Sequence, residues 1–189
     1  MSDKKLILSA SKIKTFLSCS FLYWGKYVLK LPDIQNDGSR RGSLVHKIFE
    51  YLLKSRHKKH YDLVLAANSI TGSAAILKLV RLLMKSFGLG EVDNKVQNNF
   101  DLINEMILVG LRADFFCEGR ELEVGELKIN IEHPQYRLTG IIDKIAKCPD
   151  NFRNILDYKS ASKIDDHSIQ ALSYALWVKR ILQADCLVR

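Results

Sequence analysis

The spacing of apolar side chains changes along the chain from a helical repeat to strict alternation. Over the first 118 residues, apolar side chains recur every three or four positions, which is typical of helices with one buried face. We predict helices over residues 11–19 (continuing to Pro32), 42–53, 72–87 and 94–116. Ser11 is the predicted N-cap of the first, because its hydroxyl can accept an unpaired backbone N–H.

From Glu121 the period becomes two, which is typical of strands with one buried face. Residues 133–135 and 149–151 carry turn residues. The pattern predicts an antiparallel meander of three strands, a helix over 166–182 and a last strand over 184–189. We therefore predict one α/β domain over 1–189, mainly helical over 1–118, with the sheet and a closing helix over 119–189.

The charge of the chain favours an anionic partner. Lysine and arginine number 29 against 21 acidic residues, a formal charge of +8, which suits a nucleic acid. No run of about 18 apolar residues predicts a membrane span, and the N-terminal apolar stretch is too short for a signal peptide. We expect a cytoplasmic protein. Cys19, Cys117, Cys148 and Cys186 lie far apart, without a CxxC pair, which argues against a zinc knuckle or a disulfide framework.

The second hairpin brings two carboxylates together. If it is centred on Asp150, Asp143 lies opposite Asp157, with Cβ atoms about 5 Å apart, and Lys159 shares their face. Because paired carboxylates in an apolar surround repel, they need a shared proton or a bound cation. Their oxygen ligands suit Mg²⁺ or Mn²⁺. The alternative is a different register, with both aspartates solvated and paired with neighbouring lysines.

A second acidic-x-lysine triplet, Glu126 to Lys128, lies on the preceding strand. Centring the first hairpin on Pro134 places both side chains on the face opposite Asp143. We interpret them as solvated strand residues.

Five stretches of the chain resemble, in order, the motifs of a nuclease family. They are Leu8-Ser-Ala-Ser11 with Phe16-Leu17, Cys19 and the aromatic run from Phe21; Gly42-Ser-Leu-Val-His46 with Glu50; Gly140-Ile-Ile-Asp143; Ile155-Leu-Asp157-Tyr-Lys159; and Gln170-Ala-Leu-Ser-Tyr174. With these motifs the chain resembles RecB-type nucleases of the PD-(D/E)XK superfamily. These include AddB-like nuclease domains, the iron–sulfur nucleases of CRISPR adaptation and small phage exonucleases.

The resemblance implies a role for each matching residue. His46, Asp143 and Asp157 would bind the metal, with the backbone carbonyl of Tyr158, and Lys159 would orient or deprotonate the attacking water. Gln170 and Tyr174 lie one helical turn apart and would lean over the metal and contact DNA. The alternatives are an ordinary helical histidine at position 46 and a glutamine–tyrosine pair that only caps the core.

The DNA contacts are predicted at basic and aromatic positions. Arg40, Arg41 and Lys163 are candidates for the phosphates, whereas the basic run 56–60 is interpreted as a solvated face. The aromatic side chains of residues 21–27 are expected to be core, with stacking on unpaired bases as the alternative.

Some relatives hold an iron–sulfur cluster through one N-terminal and three C-terminal cysteines. Cys19 matches the first, but only Cys186 follows Tyr174, so such a cluster is not expected.

The resulting prediction is a metal-dependent deoxyribonuclease with a PD-(D/E)XK restriction-endonuclease-like core. We expect an exonuclease on single- or double-stranded DNA, acting in replication, recombination, repair or defence of a microbe or phage. One alternative is a DNA-binding module that does not cleave. The other is a structural component of a helicase–nuclease assembly, with a helicase or recombination partner. The oligomeric state does not follow from the sequence.

Overall fold

A computed structural model describes residues 5–33, 35–90, 93–113, 115, 121–148, 152–159, 166–183 and 186–188. The chain forms two compact units. The sheet unit comprises Met1–Ile34, Arg120–Asp157 and Ile164–Arg189, and the helical unit comprises Gln35–Gly119 and Tyr158–Lys163. The N-terminal segment therefore belongs with the sheet, although it is mainly helical.

The sheet unit contains five strands and three α-helices in its described residues. In chain order they are β1 (Leu6–Leu8), α1 (Ala10–Ser18), α2 (Ser20–Tyr23), β2 (Glu121–Glu132), β3 (Tyr136–Lys147), β4 (Arg153–Leu156), α7 (Ser168–Trp177) and β5 (Cys186–Val188). Single π-helical turns, Trp24–Val28 and Val178–Leu182, extend α2 and α7. The predicted meander and the mixed α/β sheet are confirmed.

Strand β3 organises the sheet because it pairs with three others. It runs antiparallel to β2 and β4 and parallel to the short β1, and β5 lies parallel to β4. Helix α7 packs on this sheet through Tyr174, Trp177 and Val178, which join a core of strand side chains. Those strand residues are Ile129, Ile131, Leu138, Ile142, Ile145 and Ile155. The closing helix thus covers β3 next to the predicted carboxylates.

The start of α1 differs from the prediction. Ser9, not Ser11, is the N-cap, and its hydroxyl accepts the backbone N–H of Lys12 at 3.3 Å. Ser11 already lies within the helix. Either serine satisfies the composition rule for caps, and the end of β1 at Leu8 decides between them.

The aromatic run after Cys19 is not core. No residue of α1, α2 or the π turn that follows is buried. Phe21 is 76% exposed. Helical spacing correctly predicts helices in this segment. It does not show whether another element covers their apolar face.

The helical unit contains four α-helices in its described residues. They are α3 (Asp37–Leu53), α4 (Lys58–Ala66), α5 (Ala74–Ser86) and α6 (Asp93–Arg112), with 3-10 turns at Ser55–His57 and Ile70–Gly72. Helix α3 begins earlier than predicted because Asn36 caps it, accepting the backbone N–H of Ser39 at 2.8 Å. Helix α4 was not predicted. It begins in the basic run that the sequence indicated as a solvated face, and only Val64 of it is buried.

The buried stripes of α3, α5 and α6 form the core of the helical unit. Leu44, Ile48 and Leu52 are fully buried on α3, as are Ile76 and Val80 on α5. Gly110 lets α6 approach α3, since a Cβ there would lie 2.2 Å from Phe49 Cζ. Among the helices in the described ranges, none is long and apolar enough to cross a membrane.

Candidate active site

The register of the second hairpin brings Asp143 and Asp157 level with each other. Strand β4 pairs Leu156 with Lys144 and Ile155 with Ile145, so the next step along both strands reaches the two aspartates. This is the predicted register. Strand β4 ends at Leu156, however, so Asp157 directly follows the strand.

Lys159 lies beyond the end of β4. Because Asp157 to Lys159 lie outside β4, strand alternation does not place Lys159 on the face of Asp157. The Lys159 side chain is exposed. Its role as the site lysine remains a prediction that rests on the resemblance.

Asp143 lies in a buried stretch of β3. Its side chain is 9% exposed, and the following Lys144 and Ile145 are 0% and 1% exposed. The alternative of solvated strand residues is therefore wrong for Asp143 and Lys144. Fewer buried apolar side chains surround the aspartates than predicted. Ile145 and Ile155 are buried, but Ile141 is 49% exposed.

Helix α7 reaches Asp157 through two polar side chains. Gln170 Nε2 donates to Asp157 Oδ1 at 3.0 Å and lies 2.5 Å from the Tyr174 hydroxyl oxygen. That hydroxyl donates to the carbonyl oxygen of Ile141 and lies 3.2 Å from Asp157 Oδ1. The predicted shared face of Gln170 and Tyr174 is thus directed at the aspartate end of the sheet.

Tyr174 also packs in the core. Its side chain is 2% exposed, and its ring fits over Gly140, where a Cβ would lie 3.5 Å from the ring. Tyr174 therefore both packs in the core and contacts a carboxylate, so the two alternatives hold together for this residue.

The Tyr174 hydroxyl is held in its protonated form. Burial raises the pKa of Tyr174 well above its usual value, and the negative charges of Asp157 and Asp143 act in the same direction. The hydrogen bond from Gln170 opposes this shift of the pKa. A neutral hydroxyl remains a hydrogen-bond donor at physiological pH, and both carboxylates lie close enough to influence it.

The first hairpin has a different register from the prediction. Leu127 pairs with Ile142 and Gly125 with Lys144, so Glu126 lies level with Asp143. The hairpin is centred between Pro134 and Gln135, because Glu132 pairs with Arg137. Glu126 is exposed, as predicted, but its backbone is left-handed, with φ 51°. A third carboxylate thus stands on the strand beside Asp143.

The predicted ligands on α3 and after β4 belong to the helical unit. His46 is half-buried, and its ring centroid lies 6.4 Å from that of Tyr158. Tyr158 also packs against Phe49, at 4.8 Å between ring centroids, and Phe115, at 6.2 Å. The aromatic packing anchors the residue that follows Asp157.

Two of the predicted DNA contacts lie at the start of α3. Arg41 Nη1 donates to Asn99 Oδ1 at 2.7 Å, so part of its guanidinium group has a structural partner. Arg40 Nη1 lies 3.8 Å from Asp37 Oδ1. Lys163 lies outside the described residues.

A cavity of about 490 Å³ adjoins Gln170 and Tyr174 in the sheet unit. Its wall includes hydroxyl groups of α1 and α7 and one cation, contributed by Ser9, Ser11, Ser173 and Lys128. Sequence reasoning missed this grouping because α1, β2 and α7 meet only in the folded chain. Lys128 is exposed as predicted, and it lines this cavity.

The carboxylate pair fits a hard divalent cation by its chemistry. Asp143 and Asp157 supply oxygen ligands, and both act on the same buried hydroxyl. Within the described ranges, no group of three or more His, Cys, Asp or Glu side chains is close enough to hold a metal. Cys19, Cys148 and Cys186 are free thiols, and Cys117 lies outside the described residues.

Comparison with known proteins identifies the family of the chain. Residues 7–186 match the PD-(D/E)XK nuclease superfamily. The chain is 25% identical over 169 residues to an ATP-dependent helicase/deoxyribonuclease subunit from Streptococcus mutans, covering 87% of this chain and 15% of the relative. It is 26% identical to the protein of the same name from Streptococcus equi subsp. zooepidemicus, with the same two coverages. An uncharacterised protein of Rickettsia bellii is 27% identical, over 82% of this chain and 19% of its own length.

The chain belongs to the PD-(D/E)XK nuclease superfamily. It spans about 15% of the length of the helicase/deoxyribonuclease subunits that it matches. No solved structure matches the chain significantly.

Proposed function

We propose that the chain is a metal-dependent deoxyribonuclease that hydrolyses DNA phosphodiester bonds. The observation that supports the proposal is the network on α7, in which Gln170 and the Tyr174 hydroxyl contact Asp157, in a hairpin whose register brings Asp157 level with Asp143. In a member of a nuclease superfamily, two carboxylates at one end of the sheet are suited to bind a divalent cation that acts on a phosphodiester.

Asp143 and Asp157 would hold Mg²⁺ or Mn²⁺, and the resemblance implies His46 and the Tyr158 carbonyl as further ligands. When bound, the cation would polarise the phosphate and lower the pKa of a water molecule. Gln170 keeps Asp157 in position by donating to its Oδ1 atom. Tyr174, held neutral, ties the same oxygen to the backbone of β3.

Lys159 would orient the attacking water and offset the charge that develops on the phosphate. The cavity beside Tyr174 would receive the DNA strand, with Lys128 facing its backbone. Arg40, Arg41 and Lys163 are the other proposed phosphate contacts.

The proposal is tested with end-labelled single- and double-stranded DNA in Mg²⁺, Mn²⁺ or EDTA. We expect cleavage that EDTA abolishes and that Asp157→Asn and Lys159→Ala reduce by at least about 100-fold, the scale of one lost electrostatic group. The matched controls are Asp62→Asn and Lys147→Ala, whose side chains are exposed. Cleavage in EDTA, or full activity of Asp157→Asn, would refute the proposal.

We propose an exonuclease rather than an endonuclease, following the resemblance to small exonucleases. A circular single strand should then resist digestion while its linear form is degraded. Cleavage of both at equal rates would contradict the exonuclease proposal and leave the deoxyribonuclease proposal standing.

We also propose that the chain works with a helicase in recombination or repair. The Streptococcus relatives that it matches are helicase/deoxyribonuclease subunits, of which it spans 15%. A tagged chain should co-purify with an ATPase that unwinds DNA. If the chain is recovered alone as an active nuclease, and added helicase does not raise its cleavage rate, the proposal of a helicase partner is contradicted.

A further inference from the structure

Helices α1 and α2 and the π turn that follows them form a helical hairpin at the start of the sheet unit. This hairpin, with the residues up to Leu31, exposes an unusual amount of apolar surface. Eight large apolar side chains in 16 residues are 47–76% exposed: Phe16, Leu17, Phe21, Leu22, Trp24, Val28, Leu29 and Leu31. Single exposed apolar residues are common, but a continuous patch on a folded chain marks an interaction surface.

The aromatic side chains of this hairpin contact one another. Phe16 and Tyr23 meet edge to face at 5.4 Å between ring centroids, and Tyr23 and Tyr27 lie 5.2 Å apart. Phe21 and Trp24 lie 6.0 Å apart, with an angle of 34° between their planes. These contacts restrain the rings while leaving Phe21 and Trp24 open to solvent.

The same segment is basic. No Asp or Glu occurs between Asp3 and Asp33, whereas lysines occupy positions 4, 5, 12, 14, 26 and 30. Lys12 Nζ lies 5.6 Å and Lys26 Nζ 5.9 Å from the centroid of the Tyr27 ring. Lys26 Nζ also pairs with Asp33 Oδ2, and Lys12 Nζ donates to the carbonyl oxygen of Ile7 at 2.7 Å. Cations and aromatic rings are therefore interleaved.

We propose that this aromatic–lysine face (Phe16, Phe21, Tyr23, Trp24 and Tyr27 with Lys12, Lys26 and Lys30) binds single-stranded DNA. Bases stack on the exposed rings, and the lysines face the phosphates. In a duplex the faces of the bases are already stacked, so the occupant must be a single strand. The inference deepens the proposed function by naming the form of DNA, and it rests on that function only for the choice of DNA as the polymer.

The interleaved charge is what favours DNA over a protein partner. An apolar protein surface would be served equally by the aliphatic and aromatic side chains of the hairpin, and it would not require an acid-free segment. Stacking, by contrast, depends on rings and not on aliphatic groups. This difference allows a matched pair of variants to separate the two occupants.

The test measures binding of fluorescein-labelled dT12 by anisotropy in EDTA, so that no cleavage is required. Phe21→Ala should raise the Kd about tenfold, since stacking on one ring contributes on that scale. Leu17→Ala is the matched control, because Leu17 is 69% exposed on α1 of the same hairpin but has no ring. We expect its Kd to equal that of the unchanged chain.

A spectroscopic measurement reports on the face directly. The chain has two tryptophans, of which Trp24 is 47% exposed and Trp177 is 8% exposed. Stacking of bases should quench the emission of Trp24, and Trp24→Phe should remove the quenching while dT12 still binds. A duplex of equal length should neither quench nor bind as tightly.

Each outcome separates this inference from the proposed function. Binding and quenching in a chain that cleaves nothing in Mg²⁺ or Mn²⁺ would uphold the face and refute the nuclease proposal. Cleavage with an unchanged Kd in Phe21→Ala would refute the face alone. Equal losses in Phe21→Ala and Leu17→Ala, with self-association in sedimentation experiments, would overturn the inference in favour of a second copy as the occupant.

Discussion

Tyr174 shows how one side chain serves both the core and the candidate site. Its ring is buried over Gly140, while its hydroxyl donates to the Ile141 carbonyl and contacts Asp157. A carbonyl shielded from water that loses its donor costs up to about 1–3 kcal/mol, and the bond to Ile141 is partly buried. The hydroxyl therefore influences both the free energy of unfolding and the position of Asp157.

Tyr174→Phe should separate these effects, because it keeps the ring and removes only the hydroxyl. We expect the free energy of unfolding to fall by about 1–2 kcal/mol. We also expect the variant to cleave DNA more slowly under conditions in which it is fully folded. Urea denaturation and end-labelled cleavage measure the two. The control is Tyr136→Phe on β3, whose ring stacks on His133. An effect of equal size in both variants would contradict the role of the Tyr174 hydroxyl.

His57 is a residue whose stability contribution depends on pH. Its ring lies 3.7 Å from that of Tyr51, between centroids. Burial lowers the pKa of His57 from its usual 6.5, and the positive charge of Arg56 and His60 lowers it further. The folded chain thus favours the neutral ring. The stability that this preference contributes is complete above pH 6.5 and is lost as the pH falls through the folded-state pKa.

We expect the unchanged chain to lose more stability than His57→Gln between pH 7.5 and pH 5.0. Urea midpoints of both proteins at the two pH values measure this. Since the other titrating groups are common to both proteins, parallel changes would contradict the assignment to His57.

At the scale of elements, caps and close approaches decide where helices begin and how they pack. Ser9 caps α1, although Ser11 satisfies the same composition rule. Gly110 faces the Phe49 ring at a distance that no Cβ tolerates. Both features follow from which elements are neighbours, and so they were not visible in the sequence.

Ser9→Ala should cost about 1 kcal/mol of stability, whereas Ser11→Ala should change it by less than about 0.5 kcal/mol, as is usual for exposed positions. Thermal or urea unfolding of the two variants makes the comparison. A larger cost for Ser11→Ala would restore Ser11 as the cap.

Gly110→Ala should destabilise the chain by about 1–3 kcal/mol, because the new methyl group collides with the Phe49 ring. Gly25→Ala is the control, since its Cβ would meet only Leu31 at an ordinary 3.6 Å. The denaturant midpoints should differ clearly. If the two variants are equally stable, the packing of α6 on α3 is looser than described.

At the scale of the whole molecule, the charge of +8 would offset the repulsion between the proposed DNA substrate and the acidic candidate site. The cations do not contribute equally. Arg41 is bonded to Asn99, which is 4% exposed, whereas the contact between Arg40 and Asp37 is long, at 3.8 Å. Arg40 is therefore the freer of the two to meet a phosphate.

Affinity for DNA should fall steeply with salt, with a slope of about −0.7 per phosphate contact on a single strand. Arg40→Gln should reduce that slope by about one contact without loss of stability. Arg41→Gln should also lower the denaturant midpoint, since it removes the partner of Asn99. A slope unchanged by Arg40→Gln would exclude that residue as a phosphate contact.

The sequence alone determined the features that depend on local chemistry. Alternation and turn residues determined the meander and the register of β3 on β4, which brings Asp143 level with Asp157, and helical spacing placed Gln170 and Tyr174 on one face. Only the tertiary structure decided that β4 ends before Asp157, that Glu126 lies level with Asp143, and that the aromatic hairpin is exposed. The reason is physical: strand ends, the one-residue centre of a hairpin and the covering of an apolar face depend on partners distant in the chain, which local periodicity does not contain.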